Sequence, residues 1–203
     1  MGVTFDDDAR DIRDPESWRW DPSLRARTSA DTDGKVAELL GHLETTGQDQ
    51  LILRLVANSP NGFRPFVLMA DGLVNRPTLP ADVREAVVLH LAVELRDGYE
   101  WHSHIEPARA AGLSSEQVDD LRSGAVAGPE SRLSDDQCLA IDLVDRLRDG
   151  LGWSEDDWRA ATAAWQVEGA FDLLLSAGWW AGLVPLVLRG MGVQFREAPS
   201  EAS

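Results

Sequence analysis

Glu100 and His104 stand four residues apart in a stretch with helical patterning. At ~100° per residue an i,i+4 pair is offset by only ~40°, so the two side-chain heads share a face and can meet. A carboxylate beside an imidazole raises the imidazole's pKa and fixes its tautomer, which prepares a general acid or base. Glu85 lies upstream among Ala86, Val87, Val88 and Leu89, apolar surroundings in which a carboxylate needs a partner. The plainer use of such a Glu–His pair is a surface contact contributing about 0.2–0.5 kcal/mol, and spacing by itself favours that use. His102, two residues from His104, points to another face and reads as solvated or as a rim residue. His90 and Glu94 make a second i,i+4 pair, and His42 is isolated; both read as structural. Glu85, Glu100 and His104 are acceptable metal-ligand types. The chain has no H-E-x-x-H or His-rich spacing, so no metal is expected.

The elements that must position these residues are helical. Residues 1–33 form a charged arm with two prolines and no sustained period, anchored through Trp18 and Trp20. Helix signals then follow one another over 34–195, and 196–203 is a tail. Val36, Leu39, Leu40 and Leu43 share one face. A short helix over 50–57 ends at the turn cluster Asn58-Ser59-Pro60-Asn61-Gly62, and Phe63 to Val74 follows with Pro65 in its first turn. Pro80-Ala81-Asp82 opens a helix to about Leu95. Arg96-Asp97-Gly98 interrupts, and Tyr99 to Ala111 continues to Gly112. Ser114 with Gln117, and Ser134 with Gln137, are capping-box signatures for the next two helices. Ser154 caps Glu155 to Trp165, and an apolar helix runs from Glu168 to Arg189 with a kink at Pro185. The expected fold is all-α, with about eight helices.

Composition narrows the function classes. The chain has 203 residues, 19 basic against 35 acidic, for a formal net charge of −16. A nucleic-acid backbone or an anionic membrane surface is repelled by that balance, so neither is an expected partner. The hydrophobic fraction of 43% is that of a globular chain. Cys138 is the single cysteine, which rules out an intrachain disulfide. Met1 to Asp14 is acidic and lacks the apolar run of a signal peptide, so the expected location is the cytoplasm. The apolar segment Phe171 to Leu188 contains Asp172, Ser176 and Pro185 and reads as a buried or subunit-interface helix rather than a membrane span.

Arg84-Glu85, then Tyr99-Glu100-Trp101 with His104, then Ala108-Arg109-Ala110-Ala111-Gly112-Leu113-Ser114 resembles the carboxymuconolactone decarboxylase and alkylhydroperoxidase-D-like family, and the likeness runs from about Leu51 to Val193. That resemblance implies an alkylhydroperoxidase-D-like multi-helix domain. The redox branch of the family carries a C-x-x-C pair before the histidine, with a glutamate upstream in a proton relay. This chain has Asp97 and Glu100 at the matching positions, while Glu85 and His104 remain. Thiol–disulfide exchange needs an attacking thiolate and a disulfide, so a thiol peroxidase is not expected.

The remaining branch implies a cofactor-free lyase, decarboxylase or isomerase that moves protons on a carbonyl or lactone substrate. Glu85, Glu100 and His104 are its expected catalytic residues. Tyr99 and Trp101, with Phe63 and Phe66, are candidates to wall a pocket, the core being their plainer place. Arg84 or Arg109 can meet a substrate carboxylate, with solvent the plainer destination. The rival expectation is a non-catalytic binding or assembly protein that kept the fold. The apolar C-terminal helix implies a homo-oligomer.

Overall fold

The helix Ala81–Glu94 has no polar face: every residue from Val83 to Ala92 is buried, including Arg84, Glu85 and His90. A helix that is buried all round must be enclosed by others, and each charge it carries must find a partner inside. In the computed structural model, which describes residues 5, 11–128 and 131–195, the helices run in chain order as α1 (Gly34–Thr46), α2 (Leu51–Val56), α3 (Pro60–Asn75), α4 (Ala81–Glu94), α5 (Gly98–Ala110), α6 (Ser115–Ser123), α7 (Asp135–Arg148) and α8 (Glu155–Ala177). A π-helical turn (Gly178–Leu183) then leads into α9 (Val184–Gly190). The all-α, alkylhydroperoxidase-D-like class read from the sequence is the class observed.

The chain divides into two compact units. The first holds Phe5 and residues 75–186 and is built around α4, which packs against α5, α6, α7 and the π-helical turn. Its core joins Val83, Val87 and Leu91 of α4 to Trp101 and Ile105, Leu121, Leu143 and Leu173. The capping boxes at Ser114 with Gln117 and Ser134 with Gln137 form as expected, and their glutamines are hydrogen-bonded to each other at 3.0 Å. α8 bends at Gln166, whose φ of 59° and ψ of −177° are not helical. The bend falls where the sequence separates one helix ending at Trp165 from another starting at Glu168. Asp172, the charge in the apolar helix, accepts the backbone N–H groups of Thr78 and Leu79.

The second unit holds residues 11–74 and 187–195. Here the arm is tied down by its backbone: Leu51 N–H reaches Ile12 at 3.0 Å, and Arg27 N–H reaches Arg54 at 2.9 Å. Trp18 is wholly buried, and its indole N–H donates to the Asp11 carbonyl. Two details depart from the sequence reading. Trp18–Arg19 (β1) pairs antiparallel with Gln194–Phe195 (β2), a two-residue ladder too short to leave an alternating pattern. α3 starts at Pro60 rather than Phe63, with the Ser59 hydroxyl accepting Gly62 N–H, so Pro65 lies inside the helix and not in its first turn.

Candidate active site

The buried charges of α4 pair with α5. Between the two helices Arg96 adopts a left-handed conformation (φ 54°), and Asp97 becomes the α5 N-cap by accepting Glu100 N–H at 3.1 Å. This short connection packs α5 on α4 and sets Glu100 and His104 opposite Glu85. Asp97, which the family resemblance matches to a redox cysteine, is thus a capping carboxylate that satisfies one of the orphan donors of the first helical turn.

Four charged side chains meet in line. Arg84 donates from Nε and Nη2 to one oxygen of Glu85, at 3.0 and 2.7 Å. The other Glu85 oxygen lies 2.7 Å from Nδ1 of His104. Nε2 of His104 faces a Glu100 oxygen at 3.5 Å. Both ring nitrogens therefore point at carboxylates, and only the imidazolium has a proton for each. The charges agree with that state. Arg84 and protonated His104 balance Glu85 and Glu100, whereas a neutral imidazole would leave a buried net negative charge.

Burial pulls the His104 pKa down, but the Glu85 charge and the ring's hydrogen bonds to both carboxylates outweigh it and hold the ring up at about 10. Burial pushes Glu85 up, and the charges of His104 and Arg84 more than reverse this, leaving its carboxyl below the usual range. His104 keeps 12% of its side-chain surface exposed, against 1% for Glu85 and 7% for Glu100, so the imidazole is where the cluster meets solvent.

The residues singled out from sequence separate into two groups. Glu85, Glu100 and His104 come together, and Arg84 joins them; it is buried on Glu85 and does not go to solvent. Tyr99 and Trp101 are buried, Trp101 completely. The Trp101 ring meets Phe5 edge-on at 5.3 Å and carries the Arg122 guanidinium at 5.6 Å, the setting of a core residue. Phe63 and Phe66 are buried in the second unit. Arg109 pairs with Glu106 at 2.6 Å near the surface. Two histidine readings are corrected. His102 is buried rather than solvated, and His90 pairs with Asp145 of α7 at 2.9 Å rather than with Glu94. Glu94 turns instead to Arg148, 3.7 Å away.

Trp180 is the site residue that sequence reasoning missed. It is buried in the π-helical turn, and its ring stands perpendicular to that of His104, with centroids 5.5 Å apart. The adjacent tryptophans in an apolar helix read only as packing.

Residues 60–129, 70 of the 203, match the Carboxymuconolactone decarboxylase family, and the match contains Glu85, Glu100 and His104. No curated protein and no solved structure matches the chain at a significant level. Cys138, on α7, is the one cysteine. Over residues 60–129 the chain is therefore similar to the carboxymuconolactone decarboxylase family, and with a single cysteine it has no C-x-x-C pair.

Proposed function

We propose that the protein is a small-molecule lyase or isomerase that uses no cofactor and transfers protons on a carbonyl or lactone substrate. The observation that carries this reading is the His104 imidazolium, held by Glu85 on one nitrogen and faced by Glu100 on the other. Decarboxylation or deprotonation next to a carbonyl passes through an enolate, which needs a positive partner and then a proton. A ring charged throughout the neutral range supplies both and is poorly suited to act as the base. Nδ1 is committed to Glu85 at 2.7 Å, so the proton is delivered from Nε2, whose contact with Glu100 is looser at 3.5 Å. Glu100 is the base, or it receives the returning proton. Arg84 keeps Glu85 ionised and Glu85 keeps the ring oriented, a relay built on two arginine N–H groups that share one Glu85 oxygen.

The test is a panel of lactones and β-keto acids, carboxymuconolactone among them, followed for proton exchange at carbon and for loss of CO2. Glu100→Gln and His104→Ala should each abolish turnover with helical circular dichroism intact. Full activity in both variants would sink the proposal.

The second reading, a non-catalytic binding or assembly protein, is favoured by the completeness of the cluster, since a mutually satisfied buried network also rigidifies a core. Solvent exchange of the His104 Nε2 proton separates the two. Exchange no slower than for a half-exposed imidazole supports the enzyme, and protection to the level of core amides supports the scaffold.

We also propose a homo-oligomer that covers one side of α8, the turn after it and the start of α9. Val167, Phe171, Leu175, Leu183 and Leu186 are exposed there, together with Gly178. Added Cβ atoms at Gly178 and Gly182 would meet nothing within 4 Å, which leaves room for a partner helix to approach closely. The helical stretch Glu155–Gly190 is long and apolar enough to cross a membrane by composition, yet 44% of its most apolar window is buried inside the protein. A monomer by light scattering, with Phe171→Glu unchanged in mass, would contradict the assembly.

A further inference from the structure

A π-helical turn is an uncommon way to continue a helix. Its i→i+5 bonding is poorer than the α ladder, and such turns concentrate at functional sites. Here the turn spans Gly178–Leu183 and packs against α4, the helix that carries Arg84 and Glu85. Two glycines bracket the tryptophan pair, and neither is required by space, because an added Cβ at Gly178 or Gly182 meets nothing within 4 Å. Nor is either required by a left-handed backbone: Gly178 is right-handed helical (φ −61°, ψ −34°) and Gly182 has no positive φ. The widened turn leaves Trp179 and Trp180 both buried, at 5% and 3% exposure, although they are adjacent in sequence. The indole of Trp180 then meets the His104 ring at 89° with centroids 5.5 Å apart. Perpendicular rings at that separation are the arrangement in which a positive ring edge meets a π face, and a cation strengthens the attraction.

We propose that Trp180 is a positioning residue for His104, and that the π-helical turn serves to press its indole against the imidazole so that Nδ1 stays on Glu85 and Nε2 stays toward Glu100. The inference rests on the reading of His104 as the working acid, yet its test does not need a substrate. Charged groups face the ring from α4 (Glu85, with Arg84 behind it) and from α5 (Glu100), while the π-helical turn, Gly-Trp-Trp-Ala-Gly-Leu, brings no titratable side chain. Any change of His104 on altering Trp180 therefore comes from the indole and not from a lost charge.

The experiment is a 15N-detected titration of the His104 ring in the wild-type chain, Trp180→Leu and Trp180→Phe, with circular dichroism confirming the helices. In the wild type, nuclear Overhauser contacts should join the imidazole and the Trp180 indole. Trp180→Leu should lower the His104 midpoint by roughly half a unit to one unit and exchange-broaden the ring signals. Trp180→Phe should restore most of the difference. Two results overturn the proposal: no Overhauser contact in the wild type, or a folded Trp180→Leu variant with the wild-type midpoint and line widths. The contact measurement stands even where the leucine variant fails to fold. Loss of the acid role, seen as full activity in His104→Ala, would leave these ring signals unchanged, so the two failures are distinguishable.

Discussion

His90 and His104 each meet a carboxylate from a neighbouring helix, and the two settings differ. His90 of α4 meets Asp145 of α7 through Nε2 alone, at 2.9 and 3.0 Å to its two oxygens. Asp145 is 36% exposed on its side chain and is shared with Arg148 at 2.8 Å, so water and a surface cation help carry the charge. His104 has a carboxylate at each nitrogen, and a buried arginine backs the nearer one. One carboxylate braces a histidine between helices. Two carboxylates with a buried cation behind them fix its charge, which is the feature the proposed acid role depends on.

The comparison breaks most sharply at the carboxylates. Glu85→Gln removes the anion between two buried cations and should cost about 3–5 kcal/mol, the scale for breaking a buried pair. Asp145→Asn, at a half-open position where an amide still accepts from the histidine, should cost about 1 kcal/mol. Urea unfolding of both variants measures the contrast, and equal losses would remove the distinction.

The pH dependence is next in size. His104 is raised from 6.5 to about 10, so its contribution is complete below 6.5 and is lost as the pH rises through about 10. Glu85 is lowered from 4.5, so its contribution is present above 4.5 and is lost as the pH falls. The stability gap between wild type and Glu85→Gln should therefore be widest between pH 4.5 and 6.5 and should shrink on either side. A gap that stays flat from pH 6.5 through 10 would mean that Glu85 does not raise the pKa of the ring.

Sequence spacing reaches only as far as one helix. It showed that Glu100 and His104 share a face of α5, yet at 3.5 Å that is the looser of the two His104 contacts. The tight contact crosses to Glu85, 19 residues upstream, and depends on how the Arg96–Asp97 turn folds α5 onto α4; family resemblance indicated it, and periodicity could not. The same limit hid Asp145, 55 residues from His90, and Trp180, whose direction is set by a π turn that no hydrophobic pattern encodes. Local signals did better. The capping serines, the positive-φ glycine Gly112 after α5 and the break after Trp165 are written in one or two residues each, and each appears where it was read. Pro60 was legible too, but Asn-Ser-Pro-Asn-Gly reads equally as a turn, and tertiary packing decided for the first turn of a helix.

Two smaller changes sharpen what the supports of the cluster contribute. Arg84→Lys keeps the positive charge but replaces a two-point contact with a single ammonium on a flexible stem, so roughly 1–2 kcal/mol should be lost in urea unfolding. The smallest effect is expected at Asp97. Its carboxylate caps α5 through Glu100 N–H, whereas the His104 ring is held by Glu85 and Glu100. Asp97→Ala should therefore cost about 1 kcal/mol, the ordinary value of an N-cap, and leave the His104 titration midpoint in place. Asp97→Asn should recover most of the stability, since asparagine caps as well as aspartate. A shift of the His104 midpoint in the asparagine variant, with the cap restored, would show that the Asp97 charge itself acts on the site and that the charged cluster has a fifth member.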